Sequence, residues 1–419
     1  MKLTVIELFA GVGGFRVGLN KINNIDSKGR AIEKGSWEFL YANQYEPLTV
    51  AQHAYDCYKK RFVDSFCSNI DIKDVNAADI PNHSLLVAGF PCQDYSVAKS
   101  LTNEKGIEGK KGVLFWEIKR IIEAKQTPFL LLENVDRLLK SPSGMKGRDF
   151  AIMLKTFHNL GYGVQWRVIN ASYYGMPQKR KRIFIFAFKE NTLFFKDSDL
   201  SKQPLPSNLF NTVFPIEIKS EIKELDLNHY KDAMDITKNY HDGKFLDSGI
   251  MLNGVVKMFD VNPIRENIFP LKKIINKAFN KKNNYEKYIV DLNNLDKWIY
   301  LKGAKKIERF SKSGHKYFYS EGSMNFPDDL DSPARTLLTS EGSVNRSSHI
   351  IFDMNLKQYR LLTPNECELI QMFPLDWTDT MNDRKRYFMM GNALVTGIIE
   401  RLEPYLKEII KNEPEVHQS

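Results

Sequence analysis

The chain has 419 residues, 42% of them hydrophobic, and a formal net charge of +9. That size suits two globular domains, or one large domain carrying an insert, and the positive balance points to a polyanionic partner such as nucleic acid. Cysteines 57, 67, 92 and 367 form no CxxC pair and no apolar run is long enough to span a bilayer, so a metal site, a redox dithiol and a membrane anchor are not expected, and a reducing, cytoplasmic setting is.

Residues 1–20 carry glycine and arginine in a strand–loop–helix pattern, which is not that of a signal peptide. Residues 4–9 are a β-rich run, and Gly11-Val12-Gly13-Gly14 opens a helix over 15–19. The loop is short of a full G-x-G-x-x-G, so a plain tight turn and a ligand-cradling loop both fit it. Phe9 offers an aromatic face beside it. A second strand at 37–42 runs into Asn43-Gln44-Tyr45-Glu46, the place where α/β cofactor folds put a ribose-binding acid. An amphipathic helix over 50–62 follows, then Asp71-Ile72, whose carboxylate suits an adenine amino group. Each of these polar residues alone reads as a solvated loop residue; together they fit a nucleoside-bearing cofactor.

The apolar run 84–88 predicts a buried strand ending in Gly89-Phe90-Pro91-Cys92-Gln93. Open α/β sheets gather their chemistry at such strand ends. A lone cysteine is most often an inert core residue, but the polar Gln93-Asp94-Tyr95-Ser96 that follows does not belong in a core. Near basic groups and a helix start, the thiol is a candidate nucleophile. Helices are predicted over 113–125 and 148–160, and strands over 129–132, 164–170 and 182–188. Glu133 follows three leucines, so burial should raise its pKa and suit it to donating a proton or hydrogen bond. A salt-bridged strand end is the plainer account of it. Gln178-Lys179-Arg180-Lys181-Arg182 abuts the last strand, so alternate arginines should point opposite ways. Strands alternating with helices argue for an α/β fold with a mainly parallel, doubly wound sheet.

After residue 189 lysine, asparagine and aromatic residues dominate, and a second, smaller domain over 189–384 is expected, with 385–419 returning to complete 1–188. Residues 269–287 hold six lysines to one acid, and 302–316 six Lys/Arg to one acid. Most such lysines sit on solvated faces; some suit phosphates and base edges. A helix start is read at Leu362-Thr363-Pro364-Asn365-Glu366, and a last helix over 393–411 after Gly391-Asn392.

With these motifs in hand, the chain resembles the bacterial DNA (cytosine-5) methyltransferases that use S-adenosylmethionine. Blocks similar to the family's occur in its usual order: LFAGVGG at 8–14, GFPCQDYS at 89–96, ENV at 133–135, YGMPQKRKRIFIFA at 174–187, RLLTPNECELIQMFP at 360–374 and GNALV at 391–395. The resemblance covers roughly 1–188 and 355–405. It implies a Rossmann-like catalytic domain and a target-recognition domain. Cys92 matches the nucleophile that adds to cytosine C6, and Glu133 the residue that holds N3. Arg182 matches the arginine near O2, with Arg180 a structural or phosphate-binding neighbour. Phe9, Gly11, Gly14, Tyr45, Asp71, Ile72, Pro91, Leu114, Asn392 and Ala393 fall at or beside cofactor positions. Gln44 stands where the family often has the ribose-binding acid, which leaves Gln44 and Glu46 as alternatives for that contact. The target base must be flipped out of duplex DNA, at a cost of a few kcal/mol. The resemblance also implies a monomer paired in function with a restriction endonuclease, and residues 93–112, with Ser96, Lys99, Lys105, Lys110 and Lys111, as a loop that closes over DNA.

A tRNA-directed cytosine methyltransferase is a competing reading, but that branch typically carries Pro-Pro-Cys and a downstream Cys-Phe-Thr, neither of which occurs. A nicotinamide dehydrogenase would leave Cys92, Glu133 and the arginine pair unexplained. A catalytically dead DNA-binding paralogue would not be expected to keep Cys92, Glu133 and Arg182 together.

Overall fold

A computed structural model describes residues 1–90, 114–201, 208–280, 284–311 and 314–414. Pro91, Cys92 and the rest of 93–112 lie outside the described residues. The strands are β1 (Thr4–Leu8), β2 (Glu38–Asn43), β3 (Cys67–Ser68), β4 (Leu85–Gly89), β5 (Phe129–Val135), β6 (Tyr162–Asn170) and β7 (Lys181–Lys189), then β8 (Ile216–Ile218), β9 (Lys223–Asp226), β10 (Ser248–Leu252), β11 (Val255–Phe259) and β12 (Val261–Pro263). Ten of them form one sheet in the order β3-β2-β1-β4-β5-β7-β6-β10-β11-β9. The pairings from β3 to β5 are parallel; those from β5 to β9 are antiparallel. The parallel, Rossmann-like character is therefore confined to the half of the sheet that carries the glycine loop, Gly89 and Glu133. The order reverses between β1 and β4, and ligands of open α/β sheets bind outside the carboxyl ends at such a switch point.

Burial on both faces explains the unbroken apolar strands. In β5 Leu130 and Leu132 join one core, with Phe115, Ile118, Ile121 and Ile122 of the helix Leu114–Lys125 and with the helix Arg148–Asn159. Phe129 and Leu131 point to the opposite core, where Ile399, Leu402 and Leu406 of the helix Thr396–Asn412 pack. That helix lies against Gly14–Leu19 so closely that a Cβ on Gly18 would stand 2.5 Å from the Ile399 Cβ. The C-terminal segment is thus built into the same unit as the first strand.

One expectation changes. The sheet does not stop near residue 188: β10 pairs with β6, and Met251, Val256 and Met258 enter the same core as Leu130. β8 and β12 pair with each other apart from this sheet, and beyond about residue 264 the chain leaves it, as helices Leu271–Ala278 and Leu295–Lys302, a hairpin of β13 (Lys305–Phe310) and β14 (Lys316–Glu321), and a pair formed by β15 (Ile350–Asp353) and β16 (Gln358–Leu361). The last helix, expected over 393–411, is one element, Thr396–Asn412. Gly391-Asn392 closes the helix Asp383–Asn392, and a new helix starts at Thr396. The helix start near residue 363 is as read: Thr363 caps Pro364–Ile370 in a reciprocal capping box with Glu366. No helix of the described residues is long and apolar enough to cross a membrane.

Candidate active site

Three strand ends meet at the switch point. At the end of β1, Phe9 takes φ +53 and Gly11 φ +55. A positive φ is costly for a bulky residue and easy for glycine. A Cβ on Gly11 would meet nothing within 4 Å, so this stretch of backbone borders open space. The Gly11 N–H donates to Gln44 Oε1 at 2.7 Å, which ties the glycine loop to the end of β2. Gly14 differs: its Cβ direction faces Leu394 at 3.3 Å and Phe373 at 3.5 Å, so it serves packing and offers a ligand only its backbone. Glu46 Oε2 accepts from the Ala54 N–H at 2.9 Å, at the start of the helix His53–Arg61. Tyr45 is half-exposed on the same rim. Asp71 caps the short turn Ile72–Asp74 and pairs with Lys73 at 3.3 Å, while Ile72 is buried in the core. Phe9 and Leu114 are half-buried against that core. A glycine with room above it, a neutral amide beside it and a carboxylate further along the rim form a donor set that fits a nucleoside cofactor.

The second cluster lies at the ends of β4 and β5. Gly89 pairs with Glu133, and a Cβ on Gly89 would stand 3.5 Å from Glu133 Oε2. Glu133 is 9% exposed, and Arg182 Nε lies 3.0 Å from its Oε1. Burial holds the Glu133 carboxyl above the usual carboxylate range, although Arg182 and Arg180 pull it down. The next residue, Asn134, donates from Nδ2 to the Phe90 carbonyl at 3.0 Å. It thereby anchors the backbone that leads into Pro91-Cys92. The carboxyl therefore stands beside the strand end after which Pro91-Cys92 follow in sequence.

The two arginines diverge, but not through strand alternation, which puts positions two apart on one face; Arg180 precedes β7, whereas Arg182 lies on it. Arg182 turns to Glu133, whereas Arg180 is buried and donates to the carbonyls of Leu337 at 3.1 Å and Gly391 at 2.9 Å. Burial drives the Arg180 pKa down, with Arg182 adding to the shift. The Lys179 N–H donates to Ala334 O at 2.7 Å, and the Ala334 N–H to Pro177 O at 2.9 Å. The run is thus laced to 334–337 and to the Gly391-Asn392 corner. Asn392 is exposed at the end of its helix, and the carbonyl of half-buried Ala393 accepts from Gln371 Nε2 at 3.1 Å.

Sequence reasoning missed several residues that hold this arrangement. Trp377 Nε1 donates to Val12 O at 2.8 Å, pinning the glycine loop from the far end of the chain. Gln371 bridges Met390 O and Ala393 O. Glu7, fully buried, accepts from the Phe15 N–H and the Tyr58 hydroxyl, both at 3.2 Å. A charged residue inside the apolar run 4–8 was the one local signal for Glu7; the other two have none.

The fold and these strand ends define a Rossmann-like methyltransferase. The family described as C-5 cytosine-specific DNA methylase matches residues 3–409, and the chain belongs to it. It is 46% identical over 416 residues to the Type II methyltransferase M.Sau3AI of Staphylococcus aureus, an alignment covering 97% of this chain and 96% of that protein. It is 26% identical over 415 residues to the Type II methyltransferase M.MspI of Moraxella sp, covering 98% and 72%. Among solved structures, that of the S. pombe Dnmt2 methyltransferase aligns with TM-score 0.58 and 14% identity over 97% of this chain and 99% of that one, which supports the fold.

Proposed function

We propose that this DNA cytosine-5 methyltransferase transfers a methyl group from S-adenosylmethionine to C5 of a flipped-out cytosine in a short specific site of double-stranded DNA. The observation that carries the reading is the buried Glu133–Arg182 pair beside Gly89, at the strand end that leads to Cys92. Gly11, Gln44, Tyr45 and Asp71 are the residues proposed to hold the cofactor, with Phe9 and Leu114 lining it and Asn392 and Ala393 closing the corner. When bound, S-adenosylmethionine supplies a methyl group on a sulfonium.

Cytosine C5 is a weak nucleophile until C6 is attacked. The Cys92 thiolate adds to C6, and Glu133 donates to N3, so the pair of electrons moved from the C5–C6 bond makes C5 enamine-like. Glu133's raised pKa is what a donor to N3 needs near neutral pH. Arg182 steadies the carboxyl and presents its guanidinium toward the O2 side. After C5 is methylated, its proton leaves to water, the C5–C6 double bond re-forms as the Cys92 thiolate departs, and N3 returns its proton to Glu133. Within 189–384, the part beyond about residue 264 is proposed to choose the DNA site, and the exposed lysines of 272–287 and 305–316 to contact phosphates; Lys302 is buried against Asp328. In the cell the chain would act as a cytoplasmic monomer, and the Type II relatives suggest that it protects DNA from a nuclease of the same specificity. Bisulfite sequencing of host DNA expressing the chain tests this. It should show one short motif methylated at cytosine C5; unmodified cytosines throughout would refute it.

A further inference from the structure

The hairpin β13–β14 is unlike the other strand pairs. Every residue of both strands is exposed except Lys305 and Glu321, the pair at its base. Both faces carry aromatic side chains in solvent: Tyr317 and Tyr319 on one, Phe310 and Phe318 on the other. An isolated two-stranded ribbon is marginal in water. This one is held by Arg346, which donates from Nη1 to Leu301 O at 2.9 Å and Gly303 O at 2.8 Å, bonds Gly322 O through Nη2, and pairs with Glu321 at 3.2 Å. Arg346 belongs to the stretch after 334–337, which is laced to the Lys179–Arg182 edge of the active site. The ribbon is thus exposed along its length but fixed at its base to the segment laced to the Lys179–Arg182 edge of the candidate site.

Its charge and order fit a duplex. Residues 305–321 hold five Lys/Arg and two acids. The Arg309 guanidinium stacks over the Tyr319 ring at 4.0 Å, and Lys306 over Phe318 at 4.7 Å on the opposite face. Stacking pre-orders the long side chains, so less freedom is lost on binding. Six residues per strand span about 20 Å, and a two-stranded ribbon fits the roughly 12 Å width of the major groove. Lysines along both strands oppose edge-to-edge pairing with a second copy.

We infer that β13–β14 enters the major groove of the target DNA, that Arg309 reads a guanine edge there, and that Lys306 on the other face meets phosphate. This rests on the reading that the middle region chooses the site. Arginine bidentate to guanine O6 and N7 is the commonest specific contact, and its loss costs about 5- to 150-fold in discrimination. A phosphate contact acts on every sequence alike and shows as about one unit of salt slope.

The test uses full-length enzyme on a randomised duplex library read by bisulfite sequencing, with salt titrations on cognate and one-base-changed duplexes. Arg309→Ala should relax the preference at one position by about 5- to 150-fold. Arg309→Lys should recover part of it, and Lys306→Ala should keep the preference while lowering the salt slope by about one. Unchanged S-adenosylmethionine binding by calorimetry shows that each variant is folded. Arg309→Ala with wild-type preference at every position overturns the inference, as does a lower salt slope as its sole effect, or loss of self-association with the site unchanged. A wild-type enzyme that methylates no cytosine sinks the functional reading as well, whereas unchanged preference in Arg309→Ala sinks this one alone.

Discussion

Arg182 Nε stands 3.0 Å from Glu133 Oε1, joining β7 to β5 at the edge of the switch point. The guanidinium favours the charged carboxylate while burial favours the neutral acid, and burial prevails. Glu133→Gln keeps a donor for N3 but cannot deliver a full proton. Single-turnover methylation should slow by about 10²–10⁴-fold with modest change in DNA affinity, and Glu133→Ala should be slower still. Arg182→Gln removes the group that lowers the Glu133 pKa, so the alkaline limb of its pH–rate profile should move to higher pH. Equal single-turnover rates in wild type and both Glu133 variants would make this pair structural.

The two arginines of the basic run should separate by stability. Arg180→Met leaves the carbonyls of Leu337 and Gly391 without their donor in a buried corner, at about 1–3 kcal/mol for each group left unpaired. Arg182→Met removes no buried backbone bond and should unfold near the wild-type urea midpoint. Urea titrations of the two variants check this, and similar midpoints would contradict it.

Gln44 and Glu46 make opposite predictions for cofactor binding. Gln44→Ala frees the Gly11 N–H and loosens the loop, so S-adenosylmethionine affinity should drop at least several-fold in calorimetry. Glu46→Ala loses its bond to the Ala54 N–H and should leave that affinity near wild type. A large loss in Glu46→Ala alone would assign the ribose contact to Glu46.

Glu7 carries a pH signature. Burial pushes its pKa from 4.5 up to about 8 against the opposing pull of Arg16. A group whose folded pKa is raised stabilises the fold fully below its unfolded value, and the contribution is lost as pH rises through the folded one. Relative to Glu7→Gln, the wild type should therefore lose melting temperature between about pH 5 and pH 8. Parallel melting curves across that range would mean that Glu7 is charged throughout.

The parts legible in sequence are those written in contiguous residues. The glycine loop and Glu133 after three leucines sit at strand ends of the parallel half, whereas the split between Arg180 and Arg182, at the start of antiparallel β7, does not follow from strand periodicity. The rest depends on distant partners. Trp377 holds Val12 across 365 positions, and β10 joins β6 through Ser248–Met251, a pairing with a strand about 80 positions earlier that its own neighbours do not announce. Glu46 looked as free as Gln44 because a helix N-terminus eight residues on is not visible from its own neighbours.

Covalent trapping tests the account most directly. Duplex DNA carrying 5-fluorocytosine at the methylated position presents a carbon whose fluorine cannot leave as a proton does. With S-adenosylmethionine present, wild-type enzyme should form an adduct stable to denaturation, and digestion should place the crosslink on the peptide containing Cys92; Cys92→Ser should form none. A crosslinked peptide that excludes Cys92, or ordinary turnover by Cys92→Ala, would contradict the account.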